Sequence, residues 1–361
     1  MEHFSGSYAP ADVQFLLKRL TNVTTMGVAE KEALIQQGGH YSEVLSPESA
    51  PSKQYLALFE AQLQENKKRL AQDVLRLAAH ISAKVNLKES IAIVSLARAG
   101  TPVGVLLKRT LQSEKFNLYT CHYSVSIIRD RGLDLNALAY IRERHVDENI
   151  IFIDGWTGKG VIGEELSASV DTFNKSNNAA INAGLHVLAD IAGTAAVCAT
   201  QDDYLLPSAI LNAPVSGLIS RTVLNGDIGP TDFHGCAYLE HLTAHDQSRY
   251  FVDTVMAAIQ TTAIPAEPVI QRATRESNTA LHLMVARLML VHQLTHRNFV
   301  KPGVGEATRV MLRRVPKVLL VRTLNDDAVE HLLHLAAEKD VPVVVDAALP
   351  CRAVALIEQM D

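Results

Sequence analysis

The chain has no C-x-x-C pair. Its four cysteines, Cys121, Cys198, Cys236 and Cys351, are scattered over 361 residues. That scatter excludes a zinc ribbon and a disulfide scaffold, and it fits a reducing, cytoplasmic compartment. The opening MEHFSGSYAPADVQ has no basic stretch followed by an apolar core, so no signal peptide is expected. No apolar run approaches ~18 residues, so no membrane partner is expected either. Positive charge is not in excess: 34 Lys and Arg stand against 39 Asp and Glu, a formal net charge of −5. Any contact with nucleic acid must therefore be local. Internal repeats and low-complexity tracts are missing as well. What remains is 48% hydrophobic and 20% charged, the balance of a globular protein with a real core.

Residues 1–54 are polar and broken by Gly38, Gly39, Pro47 and Pro51. They read as a wrapped arm with one short helix in KEALIQQ, ending near Gly38. From Tyr55 to about Val85, Leu56, Phe59, Leu63, Leu70, Val74, Leu77 and Ile81 recur at helical spacing, which predicts an amphipathic helix. Strand and helix signals then alternate. IAIVSL, NLYTCHYSVSII, IIFID, GLHVLAD and GTAAVCAT read as strands, and PVGVLLKRTL as a helix with proline in its first turn. Alternation of this kind predicts a mostly parallel α/β sheet, with ligands off the carboxyl ends of the strands. AIPAEPV reads as a linker, and a helix is expected over roughly 277–294. KVLLV, DDAVEHLLHLAAEKD and VPVVVD form a compact β-α-β pattern behind it, and ALPCRAVALI reads as a final helix. The resulting division is an arm (1–54), a main domain with a hood (55–262), a connecting helix region (263–295) and a small C-terminal α/β domain (296–361).

The stretch IIFIDGWTGKGVIGEEL is the most informative. A strand feeds a glycine-rich turn and a helix start, where free N–H groups and the helix dipole favour an anion. Asp154 adds a carboxylate where magnesium or a ribose hydroxyl would sit. A sugar-phosphate cradle, a degenerate P-loop and a plain glycine-rich connection are the three readings. The P-loop fits poorly, because Gly160 follows Lys159 where a hydroxyl is needed. SLARAGTPVG is a second strand–turn–helix start, with Arg98 as its cation and Gly100 at the turn. Asp202 and Asp203 read as turn residues rather than metal ligands. Cys236 has His234 two residues away, on the same face if the segment is a strand, and Cys198 reads as core.

ARAG resembles the pyrophosphate loop of type I phosphoribosyltransferases, and IFIDGWTGKG resembles their 5′-phosphate loop. One departure stands out: Asp154 matches the first carboxylate, but Gly155 replaces the second. KEALIQQGGHYSEVLSPE, ARAGTPVG, DGWTGKG, NAPVSGLISRTV and DFHG also resemble a bacterial family of phosphoribosyltransferase-like proteins from tellurite-resistance and stress gene clusters. Some of its members are labelled cysteine protease StiP. The resemblance implies a type I phosphoribosyltransferase-like sheet with a hood. YSVSIIRDRGLD then corresponds to a mobile lid over the diphosphate, carrying Arg129, Arg131 and Gly132. SGLISRTVLN and GPTDFHGC correspond to a hood, where Arg221 and His234 would meet the acceptor.

The segment from His296 to Lys317 holds Arg297, Lys301, Arg309, Arg313, Arg314 and Lys317 against Glu306 alone. With the β-α-β pattern behind it, this segment resembles the PELOTA-type RNA-binding domain, similar to L7Ae-like proteins.

The leading expectation is a Mg-dependent phosphoribosyltransferase, acting on phosphoribosyl pyrophosphate or a nucleotide and a base-like acceptor. Asp154, Arg129 and His234 are its expected catalytic residues, with Asp154 also the magnesium ligand. Arg98, Ala99, Gly100, Arg131, Thr157, Gly158, Lys159, Gly160, Ser220 and Arg221 would bind substrate. Arg309, Arg313 and Arg314 would bind RNA. A non-catalytic nucleotide- or RNA-binding stress regulator and a cysteine protease are the alternatives, and a homodimer is left open.

Overall fold

The computed structural model describes residues 4–21, 23, 25–27, 30, 38–267, 269–270 and 275–358. The helix expected over KEALIQQ lies outside the described residues. Two short strands, β1 (Gln14–Leu16) and β2 (Lys18–Arg19), precede the long helix α1 (Lys53–Ser82). Ser52 caps α1 by accepting the Tyr55 N–H at 3.2 Å. The expected stripe is its buried face: Phe59, Leu63, Leu70, Val74, Leu77 and Ile81.

Then come β3 (Ile91–Ala97), α2 (Thr101–Gln112), β4 (Thr120–Ile128), β5 (Gly132–Leu133), α3 (Leu135–Arg142), β6 (Ile150–Thr157), α4 (Val161–Asn177), β7 (Leu185–Asp190) and β8 (Val197–Thr200). These strands build a sheet in the order β1-β4-β3-β6-β7-β8, with β5 paired to β4. Every neighbouring pair along that path is parallel, and only β4–β5 is antiparallel. The expectation of a mostly parallel α/β sheet is met. Its strands are buried on both faces, as parallel strands between layers are. The strand expected from GTAAVCAT forms only over Val197–Thr200.

Irregular chain between β8 and α5 (Ser248–Thr261) carries the short strand β9 (Gly235–Cys236), which pairs with β2. Helix α6 (Arg275–Val291) leads into a second sheet. That sheet contains β10 (Val300–Pro302), β11 (Pro316–Val321), β12 (Val343–Val345) and β13 (Ala353–Ile357), with α7 (Val304–Arg313) and α8 (Glu330–Glu338) between them. Its order is β10-β13-β11-β12, with β11–β12 parallel and the other pairs antiparallel. The final helix read from ALPCRAVALI is a strand instead. Ala353–Leu356 is fully buried between β10 and β11, and pairing on both edges outweighs the helix propensity of alanine and leucine. No helix among the described residues is long and apolar enough to cross a membrane.

Candidate functional site

Strands β3 and β6 are neighbours in parallel register, so their carboxyl ends lie on one edge of the sheet. β3 ends at Ala97, within ARAG, and β6 runs through Asp154 to Thr157, so the turns are Arg98–Gly100 and Gly158–Gly160. Both open into one cavity of about 290 Å³, whose walls include Arg98, Arg129, Asp154, Lys159, Lys301 and Arg309. Arg98 and Lys159, far apart in sequence, therefore share one cleft. Gly160 starts α4 at φ +81°, and a Cβ there would sit 2.8 Å from Thr194 Cγ2. Glycine is required at this turn, as the phosphate-loop reading expects. Ala99, Thr157 and Gly158 line the cleft too, Thr157 pairing its hydroxyl with that of Thr194 at 3.1 Å.

The second sheet closes the cleft. Lys159 Nζ donates to the backbone carbonyls of Arg297 (2.9 Å) and Val300 (3.2 Å). Burial, Lys301 and Arg297 together push its pKa down to about 8. Glu306 accepts from Trp156 Nε1 at 3.4 Å and pairs with Arg309 at 3.4 Å. Nearby Arg309 and Lys301 hold its carboxyl below the usual range against the opposing effect of burial. Burial pushes Asp154 up to about 7, although its Oδ1 accepts the Gly155 N–H at 2.7 Å. Arg129 and Lys301 have no hydrogen bond or ion pair from their side chains among the described residues. The pattern β10–Gly303–α7 repeats the strand–glycine–helix signal of the other two turns. That signal, overlooked in the sequence, is what brings Lys301 and Glu306 to the cleft.

Several expected site residues lie elsewhere. The lid is corrected first: β4 runs to Ile128 and β5 begins at Gly132, so only three residues form a tight hairpin turn. Arg131 donates to the Leu224 carbonyl and pairs with Glu43 at 2.5 Å. Arg221 donates to the Val44 carbonyl at 2.7 Å. Ser220 is buried, donating to the Arg221 carbonyl and accepting the Ala237 N–H. His234 is hydrogen-bonded through Nδ1 to Ser126 Oγ at 2.8 Å, and burial lowers its pKa. None of these four lines the cleft. Gly100 starts α2 beneath it, where a Cβ would meet the Ile153 carbonyl at 2.8 Å.

Arg313 is a packing residue rather than an RNA ligand. It donates to Asn212 Oδ1 at 2.6 Å and to the carbonyls of Ala209 and Ile210, tying α7 to the chain after β8. Arg314 is exposed. Asp202 pairs with Arg69 and Arg352, while Asp203 accepts the Val304 N–H at 2.7 Å. The turn expected of this pair is thus a seam between the two sheets.

Cys198, Cys236 and Cys351 are buried, and burial pushes each thiol up to about 12. Cys121 is partly exposed on β4. Among the described residues, no cysteine sulfur is hydrogen-bonded to a histidine.

Residues 6–256 match the family described as "Tellurite-like stress resistance cysteine protease StiP". The chain belongs to the StiP family. Residues 280–359 match the PELOTA RNA binding domain. "Cysteine protease StiP" of Acinetobacter baylyi (strain ATCC 33305 / BD413 / ADP1) is 40% identical over 374 residues, covering 99% of this chain and 95% of that protein. Two solved structures are distant. The hypoxanthine phosphoribosyltransferase of Trypanosoma cruzi is 13% identical over 37% of this chain and 69% of its own, with a TM-score of 0.25. An HPRT glutamine mutant at an invariant aspartic acid is 14% identical over the same shares, with a TM-score of 0.24. Likeness at that level carries no argument about this StiP-family chain.

These findings correct the expected reaction. The family and the 40% identical relative are both named for a cysteine protease, a hydrolase, and not for a phosphoribosyltransferase. The transferase assignment, phosphoribosyl pyrophosphate and the base-like acceptor fall with it. Gly155, standing where the resemblance calls for a second carboxylate, is the residue-level counterpart of that correction.

Proposed function

We propose that this StiP-family chain serves stress resistance by binding RNA, and that RNA phosphate enters the cleft between the two sheets. One observation carries the reading: Arg129 and Lys301 line a single cavity from opposite sheets, with no side-chain partner among the described residues. Arg129 is exposed, but Lys301 is half-buried, where a cation without a partner is costly; an entering phosphate removes that cost and pairs with both. Lys159 and Arg309 add charge on the same walls, and Trp156 offers a ring for a base to stack on. The match to the PELOTA domain supports RNA as the source of the phosphate.

Magnesium belongs to this proposal as a companion of the ligand. Mg²⁺ is commonly held by one or two carboxylates together with phosphate oxygens, and Asp154 on the cleft wall suits that donor set. The scaffold reading, a type I phosphoribosyltransferase-like sheet with the domain division given above, concerns architecture alone. The four free thiols support a reducing, cytoplasmic setting.

The test is fluorescence anisotropy with a single-stranded oligoribonucleotide over a range of salt. Lys301→Glu is expected to weaken binding at least about tenfold and to reduce the salt slope by about one. Wild-type affinity and slope in that variant would remove the reading. Chelation of Mg²⁺ is expected to weaken binding further.

A cysteine peptidase is the second reading, favoured by the name of the 40% identical relative. A thiol nucleophile needs a lowered pKa and a histidine partner. Cys121 is adjacent to His122 in sequence and is partly exposed, whereas Cys236, two residues from His234, has a buried thiol pushed up to about 12. Activity at Cys236 therefore requires opening of the β2–β9 pair. Casein cleavage that is lost in Cys236→Ser or Cys121→Ser would name the nucleophile. No cleavage by wild type, with and without RNA, would end the peptidase reading.

A further inference from the structure

The arginines that the sequence nominates for an anion are held by one short segment of the N-terminal arm. Glu48 Oε1 lies 2.6 Å from Arg98 Nη1, and Glu43 Oε1 lies 2.5 Å from Arg131 Nη2. The Val44 carbonyl between them accepts from Arg221 Nη2 at 2.7 Å. Tyr41 lies 5.0 Å from the Arg221 guanidinium and accepts the Arg129 N–H at 2.9 Å. Residues 41–48 thus engage the side chains of Arg98, Arg131 and Arg221 and the backbone of Arg129 together.

These contacts differ in kind. Val44 and Leu45 are buried and pin the backbone of the segment. The two carboxylates are held only by charge and hydrogen bonds. Glu43 is about one-third exposed, and such partly solvated pairs are individually weak. Arg221 Nη1 is buried with no partner, so the cluster still has an unsatisfied donor. Arg98 is shared between this cluster and the cleft, whose wall it forms.

We propose that Glu43 and Glu48 act as built-in stand-ins for phosphate, masking Arg98 on the cleft wall and Arg131 outside it, until a phosphate-rich ligand that extends from the cleft along residues 41–48 displaces the two carboxylates. The inference rests on the reading that the cleft takes phosphate. The exchange moves no backbone, because Val44 and Leu45 keep the segment in place. It sets a threshold: ligands with a single charge do not outcompete the glutamates, whereas polyanions do.

The probe is inorganic tripolyphosphate, titrated by calorimetry into the full-length chain. The Glu43→Gln/Glu48→Gln variant keeps hydrogen-bonding side chains and is expected to bind about tenfold more tightly than wild type. A Glu89→Gln/Glu143→Gln control makes the same charge change at exposed positions outside the cluster, and its affinity is expected to stay near wild type. Equal binding by wild type, the masking variant and the control would overturn the masking role and leave the cleft reading intact. Equal gains in the masking variant and the control would also overturn it, since net charge alone would then explain the change. Absence of binding in all three proteins would overturn both. Should the double variant fail to fold by circular dichroism, the single substitutions are titrated separately. A folded single variant no tighter than wild type at both positions then counts against the proposal.

Discussion

At the level of single residues, chemistry was easier to read than partnership. Lys159, Asp154 and Arg98 were chosen for charge and for their place after a strand, and all three reach the cleft. Arg131, Arg221 and His234 were chosen on the same grounds, yet their partners are Glu43, Val44 and Ser126. Charge belongs to a residue type, whereas its partner comes from another part of the chain. Asp154 gives a residue-scale prediction. Its folded pKa, about 7, is raised above the ordinary carboxylate value. The native state therefore holds a proton that the unfolded chain releases near pH 4. That contribution to stability is complete below the unfolded pKa and is lost as pH rises through about 7. Asp154→Asn is expected to gain melting temperature relative to wild type between pH 4 and 8. Parallel melting curves across that range would remove the assignment.

Among the elements, long periodic segments announced themselves and short ones did not. The stripe of α1 and the apolar runs of β3, β6 and β7 repeat at the spacing their structures need. The run at Ala353–Ile357 is too short for its periodicity to separate helix from strand, and only its position between β10 and β11 decides. The turn into α7 carries an element-scale prediction. Gly303 has φ +91°, and a Cβ there would lie 2.6 Å from Ile191 Cδ1 and 3.2 Å from Asp203 Oδ1. Gly303→Ala is expected to destabilise by roughly 2 kcal/mol or more, combining backbone strain with a clash against a capping carboxylate. Urea denaturation measures it, and a cost under about 0.5 kcal/mol would show that the turn relaxes freely.

The whole molecule depends on how the two sheets are joined. Asp203 accepts N–H groups from Val304 (2.7 Å) and Arg352 (2.8 Å), both in the C-terminal part. Arg352 links Asp202 to Asp326 across the same seam, and Arg313 and Lys159 add further bonds. Removing the Asp203 carboxylate strands two donors, at about 1–3 kcal/mol each. Asp203→Ala is expected to split unfolding into two calorimetric transitions and to weaken RNA binding, because both walls of the cleft must be held in place. A single transition at the wild-type temperature would show that the seam does not couple the parts.

By itself, the sequence determined the longer elements, the mostly parallel character of the main sheet and the placing of two glycine turns at strand ends, because periodicity and turn chemistry are local properties. It also carried the resemblance to the StiP family and to the PELOTA domain. Only the tertiary structure decided which cations stay without partners, that Lys159 bonds to the second sheet, and that Glu43 and Glu48 lie on the arginines. Those outcomes depend on which distant residues meet, and a charged side chain pairs with whichever opposite group the packed fold brings within about 3 Å.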